Sequence, residues 1–381
     1  MIERTTLMEA VASALAANPV VAILGPRQCG KTTLARAIAA AREDCEFFDL
    51  ENPVDVGRLS APMQALTPLR GLVIIDEIQR RPELFELLRV LADRPDGQAT
   101  FLVLGSASPR LVKGASESLA GRVGFVDMTG FTLDEVGTAD WKQLWTRGGF
   151  PRSFLASDEG ASYAWRQDFM RTFLERDIPQ LGITVPSETL RRFWTMLAHY
   201  HGQLWNGAEF ARALGASEPT ARRYLDILSG AYVVRTLPPW YENLKKRQIK
   251  SPKVYVRDSG LLHALLSVET HRDLQAHPKL GASWEGYVLE QVLAAVPTRD
   301  VYFWATHGGA ELDVLVFSHG RRYGIEIKYA DAPTMTKSLR VAMEDLRLHR
   351  ASIVYPGDRA YPLDEKVRAI PITQIETALD D

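Results

Sequence analysis

Gly25-Pro26-Arg27-Gln28-Cys29-Gly30-Lys31-Thr32 has the spacing G-x-x-x-x-G-K-[ST]. Val20 to Leu24 before it is a short apolar run that reads as a buried strand. Thr33-Leu34-Ala35-Arg36-Ala37-Ile38-Ala39 after it reads as a helix. Strand, glycine loop and helix N-terminus in this order make a cradle for phosphate. The glycines let successive backbone N–H groups turn inward. The helix start adds unpaired donors and positive potential. Lys31 can reach the β- and γ-phosphates, and the Thr32 hydroxyl can hold Mg²⁺. A chance glycine turn before a surface helix would need neither flank. Residues 25–32 and Thr33 are therefore the expected contacts of a nucleoside triphosphate, read as ATP.

Composition sets the frame. A chain of 381 residues suits roughly two or three domains, each with its own core. Hydrophobic residues make up 46% and charged ones 24%, as in ordinary water-soluble globular proteins. The net charge of −2 gives no global field toward nucleic acid or membrane, so any such signal is local. Cys29 and Cys45 are the only cysteines, which is no disulfide framework and fits a reducing, cytoplasmic setting. Cys29 lies near Lys31 at a helix start, where a thiolate is favoured. Redox control and a passive loop residue are both readings of it, and the passive one is preferred. No apolar run approaches a membrane span, and Met-Ile-Glu-Arg opens no signal-peptide pattern.

Residues 5–17 carry Leu7, Val11, Ala12, Leu15 and Ala16 at helical spacing. Leu72-Val73-Ile74-Ile75-Asp76-Glu77 is an apolar strand ending in two acids, a Walker B pattern. Asp76 is expected in the Mg²⁺ shell, and Glu77 is expected to polarise the attacking water. Phe101 to Gly105 is another buried strand, after which Ser106, or else Ser108, is placed to sense the γ-phosphate. Arg122 precedes the strand Val123 to Met128, where an arginine can complete an active site.

These motifs resemble the AAA+ class of P-loop ATPases. Asp76-Glu77-Ile78-Gln79, Gly148-Gly149-Phe150-Pro151 and Arg176-Asp177-Ile178 further resemble a large prokaryotic family that joins this core to a C-terminal region of unassigned function. The resemblance covers nearly the whole chain. It implies a five-stranded parallel sheet whose Walker B strand is not adjacent to the P-loop strand. It also implies that Arg122 acts on a neighbouring subunit of a homo-oligomer. The sensor asparagine or threonine usual in that class is not matched here.

The fold class expected is α/β: an ATPase core over 1–133, a helical linker or lid over 134–184, a winged helix over 185–260 and a last α/β domain over 261–381. The aromatics between Trp141 and Phe173 read as core. In 185–260, Glu188 to Leu204 reads as one helix, with Asn206 and Ser217 capping two more. Twelve Lys and Arg stand there against six Asp and Glu, densest from Lys245 to Lys253. Arg222 and Arg223 on the third helix plus this basic wing form a layout for DNA or other nucleic acid. Winged helices also dock proteins, so a protein partner is the second reading.

Residues 283–381 read as helix, three strands, helix, strand, which resembles the restriction-endonuclease-like fold. Asp313, Glu326 and Lys328 match its Asp…Glu-x-Lys motif, and Glu285 matches its helix glutamate. Hard carboxylates at Glu285, Asp313 and Glu326 suit Mg²⁺ or Mn²⁺, with Lys328 assisting catalysis. If His319-Gly320 is a two-residue hairpin loop, facing residue numbers are fixed and Asp313 faces Glu326. The expected function is an ATPase coupled to a DNA-binding, nuclease-like half. The alternative is a nucleotide-switched regulator whose C-terminal half docks a protein.

Overall fold

The computed structural model describes residues 2–94, 99–106, 115, 117–242, 248–296 and 298–380, with Ser106 described by its backbone only. The chain divides into two compact units, residues 1–131 with 230–232, and residues 132–229 with 233–381.

The first unit is α/β. Its strands are β1 (Val20–Gly25), β2 (Cys45–Asp49), β3 (Gly71–Asp76), β4 (Ala99–Ser106) and β5 (Val123–Asp127). They form one parallel sheet in the order β2-β3-β4-β1-β5, so β4 separates the Walker B strand β3 from β1. Every residue of β1 is buried, as expected of a strand covered on both faces. The helix Thr5–Ala17 and the helix Lys31–Ala40 have the periodicity read from sequence. The helix Leu84–Ala92 buries Leu84, Phe85, Leu88 and Leu91 into the core beside Val73, Ile75 and Val103.

The second unit holds two sheets. A small antiparallel one joins β6 (Gln203–Leu204), β7 (Val234–Leu237) and β8 (Lys253–Val256) in the order β6-β8-β7. Helices Ser187–His199, Gly207–Leu214 and Glu218–Gly230 precede β7. The sequence reading ran the first of these on to Leu204. The helix instead stops at His199, Gly202 turns at φ +77°, and Gln203–Leu204 pair with β8. The Asn206 side chain caps the second helix by accepting from Glu209 N, and Ser217 accepts from Thr220 N. Lys245–Arg247, the densest part of the basic wing, lies outside the described residues, as does Ser108.

The larger sheet is mixed, in the order β13-β14-β12-β11-β10-β9. Its strands are β9 (Val301–Ala305), β10 (Glu311–Ser318), β11 (Arg321–Ile327), β12 (Arg350–Tyr355), β13 (Tyr361–Asp364) and β14 (Val367–Pro371). The helix Leu280–Ala295 precedes β9, and the helix Lys337–Asp345 links β11 to its parallel neighbour β12. His319 and Gly320 both have positive φ, +48° and +74°, as a two-residue I′-type loop requires. The register follows: Ser318 pairs Arg321 and Val314 pairs Ile325. The aromatics Trp145, Phe150, Phe154, Phe169 and Phe173 are core residues of this unit.

Candidate functional site

In the first unit β1 delivers the loop 25–32 to the start of the helix Lys31–Ala40. Three positions shape the loop. A Cβ on Gly25 would stand 2.2 Å from the Met128 carbonyl oxygen, so only glycine fits. Gln28 and Gly30 take φ of +63° and +102°, turning the chain inward. The Lys31 ammonium is buried and donates to the carbonyls of Gly25 at 3.0 Å and Pro26 at 2.8 Å. Arg27 pairs with Glu51 at 3.4 Å. Cys29 is fully buried and packs toward the Met128 carbonyl, which suits the passive reading.

Asp76, at the end of β3, meets the loop. The Thr32 hydroxyl donates to Asp76 Oδ2 at 2.6 Å, and Glu77 N donates to Oδ1 at 2.9 Å. Burial raises the Asp76 carboxyl above its usual range, and the Thr32 hydroxyl only partly offsets this. A buried carboxylate touching a threonine hydroxyl fits a Mg²⁺ ion, whose charge would relieve that burial. Glu77 adopts φ +57°, a strained backbone for a glutamate, and its carboxyl is also raised by burial, with Arg27 opposing.

Two neighbours were missed in the sequence. Gln79 donates its amide N–H to the Glu77 carboxylate, and its own Oε1 is buried with no hydrogen-bond partner among the described residues. Arg4 donates to the carbonyls of Cys29 at 3.1 Å, Thr129 at 3.1 Å and Gly130 at 2.9 Å, fastening the phosphate loop to the segment after β5. Arg4 precedes the first helix in a polar stretch that carries no motif.

Arg122 stands at the opposite end of the strands from the loop. Its carbonyl accepts from Val20 N at the start of β1, while the loop leaves the end of β1. One strand length, about 17 Å, separates them. The Arg122 guanidinium holds Asp93, with Nη2 to Oδ2 at 2.9 Å. Ser106 closes β4 opposite Gly25.

The second unit gathers another charged cluster. Asp313 on β10 and Glu326 on β11 are 8% and 4% exposed. Asp313 Oδ2 accepts from Ile327 N at 2.8 Å, which ties it across the hairpin. Lys328 donates to Glu326 Oε1 at 2.8 Å, and Glu326 Oε2 is buried with no hydrogen-bond partner among the described residues. Burial, then the charges of Glu285 and Glu326, push the Asp313 carboxyl up to about 8. Burial raises Glu326 as well, against Lys328.

Glu285 does not complete a three-carboxylate site. Its Oε1 accepts from Lys253 Nζ at 3.0 Å and from the Tyr255 hydroxyl at 2.6 Å. Among the described residues no group of three or more His, Cys, Asp or Glu is arranged to hold one metal ion. Lys253, read from sequence as the end of a basic wing for nucleic acid, is 4% exposed and paired with carboxylates. On the third helix Arg222 and Arg223 are exposed, and Arg222 pairs with Asp226 at 3.1 Å.

Comparison with known proteins marks three segments of the chain. Residues 17–137 match the AAA domain, residues 138–272 match the domain of unknown function DUF8612, and residues 280–375 match the domain of unknown function DUF4143. Uncharacterized proteins of Mycobacterium bovis and Mycobacterium tuberculosis are each 53% identical over 377 residues, 99% of this chain and 85% of the relative. Among solved structures, a Walker-type ATPase of Pyrococcus abyssi is similar at 15% identity and a TM-score of 0.49, over 70% of this chain and 96% of that one. No described helix is long and apolar enough to cross a membrane.

Proposed function

The chain belongs to the family of these two mycobacterial proteins, with an AAA-type ATP-binding ATPase domain at residues 17–137, and we propose that it couples ATP hydrolysis to a nucleic-acid-binding, nuclease-like C-terminal half. Lys31 turns from the loop carbonyls to the phosphates, and residues 25–33 donate backbone N–H groups to them. Thr32 and Asp76 would hold Mg²⁺, which supplies neutralising charge to the β- and γ-phosphates. Glu77 takes a hydrogen bond from the attacking water. Gln79 positions Glu77, and its unpartnered Oε1 can accept the second hydrogen of the same water. Ser106 is assigned the sensor position. Arg122 is too far from its own loop and serves a neighbouring copy of the chain.

The observation that carries the C-terminal reading is the pair Asp313–Glu326 with Lys328 bonded to Glu326. Two carboxylates with water and phosphate oxygens are enough for Mg²⁺ or Mn²⁺. The unpartnered Glu326 Oε2 is the free ligand atom such an ion would use. A bound ion would supply a Lewis acid and a more acidic water. The order helix, strand, two helices and two antiparallel strands over 187–256 supports a winged helix, with Arg222 and Arg223 facing the nucleic acid. A second reading, a switch that docks a protein without cleaving anything, is favoured by the pairing of Glu285 with Lys253.

Incubation of plasmid DNA with Mn²⁺, with and without ATP, separates the two. Cleavage that D313A abolishes supports the nuclease reading. Intact plasmid under all conditions leaves the docking switch.

A further inference from the structure

A lysine buried to 4% exposure is costly unless opposite charges surround it. Lys253 has three such partners, drawn from two elements. Its Nζ lies 3.0 Å from Glu285 Oε1 on the helix Leu280–Ala295 and 3.8 Å from Asp313 Oδ1 on β10. It also pairs with Glu311 Oε1, two residues before Asp313 on the same face of that strand. Glu285 and Glu311 are within hydrogen-bond reach of the ammonium, and Asp313 faces it at ion-pair distance. Tyr255 lies two residues on along β8, so it shares the face of Lys253, and its hydroxyl bonds the same Glu285 oxygen at 2.6 Å.

Counted together, the cluster has four carboxylates, Glu285, Glu311, Asp313 and Glu326, and two ammoniums, Lys253 and Lys328. A second divalent ion among Glu285, Glu311 and Asp313 would have to share its ligands with Lys253. Among the described residues the carboxylate oxygen of this cluster buried without a hydrogen bond is Glu326 Oε2.

We propose that Lys253 is a resident cation that takes the place of a metal ion among Glu285, Glu311 and Asp313. The ammonium then offsets part of the negative charge here and orders these side chains with no metal, whatever binds at Glu326. The inference deepens the reading of the second site and rests on its carboxylates, not on cleavage.

The test is Mn²⁺ binding to the full chain without nucleotide, read by calorimetry and by thermal unfolding. K253M removes the ammonium and leaves three carboxylates facing each other. It should bind about one more Mn²⁺ per chain than the parent protein, because hard carboxylates then recruit a hard ion. Its melting temperature should fall without metal and recover with Mn²⁺. K253R keeps the charge and should bind no additional Mn²⁺. If K253M gains no Mn²⁺, or loses stability that Mn²⁺ does not restore, the proposal is overturned. Should K253M fail to fold, E285Q decides. Glu285 faces the ammonium, so E285Q should keep the parent's Mn²⁺ binding, and a loss would overturn the proposal. Plasmid cleavage is a separate readout: its absence removes the nuclease reading and leaves this one standing.

Discussion

The Thr32 hydroxyl donates to Asp76 Oδ2 at 2.6 Å. These residues are separated by 44 positions in the chain, and the parallel sheet brings them together at the ends of β1 and β3. Asp76 is 2% exposed, and its carboxylate accepts from this hydroxyl and from the Glu77 backbone N–H. The pair lies next to the loop whose carbonyls hold the buried Lys31 ammonium.

The first prediction follows from it. K31A should lose ATP binding, since Lys31 supplies the buried charge facing the phosphates. E77Q should bind ATP as before and lose turnover by about 10²–10⁴-fold, the usual range for removing a general base. Phosphate release and a fluorescent-nucleotide titration measure the two effects. Parental turnover in E77Q would remove Glu77 from its assigned role.

Gln79 gives a sharper case. Q79L removes both the donor to Glu77 and the unpartnered Oε1. Turnover should drop by about 10-fold or more with ATP affinity unchanged. Q79E keeps an acceptor and loses the donor, and the added negative charge should raise the Glu77 carboxyl further and shift the pH–rate profile upward. Equal loss of affinity and turnover in Q79L would mean that the residue only supports the fold.

Arg122 predicts assembly. Activity per subunit should rise with protein concentration, and R122A should lose that rise while binding nucleotide normally. Light scattering alongside phosphate release provides the check. Full activity from a demonstrated monomer rules the trans role out.

Stability should depend on pH through two buried histidines. His201 Nδ1 accepts from Val256 N, while His263 bonds the Thr146 carbonyl and the Ser283 hydroxyl. Burial holds both imidazoles down to about 3. An unfolded histidine titrates near ~6.5, so below that pH the unfolded chain binds protons that the folded one does not. The stabilisation is therefore complete above ~6.5 and is lost as pH falls toward 3, by about 1.4 kcal/mol per pH unit per histidine. The raised Asp313 carboxyl acts in the opposite direction. The comparison is therefore between the parent and H263Q, whose unfolding midpoint in urea should fall less steeply from pH 6.5 to 5. Parallel slopes would contradict the account.

The sequence carried the first site well because its parts are local. A glycine loop between a strand and a helix, and two acids at a strand end, each declare themselves within eight residues. The hairpin register was legible because a two-residue loop leaves only one pairing. Lys253 was not legible. It ends a run of basic residues, and its carboxylate partners lie more than 30 positions away, so only the packed unit reveals its pairing. The same holds for Arg4, whose carbonyl acceptors lie 25 and more residues on. The strands β13 and β14 carry no motif and were not read. The overrun of the helix past His199 ended on Leu204, the apolar residue of β6.

The central claim is that nucleotide state governs how the C-terminal half holds nucleic acid. The direct measurement is the affinity of E77Q for a labelled DNA duplex, by fluorescence anisotropy at fixed salt, with ATP and then with ADP. The account predicts binding in at least one state and a difference of about 10-fold between them, or about 1.4 kcal/mol of coupling. Equal affinities in the two states, or no binding in either, would contradict it.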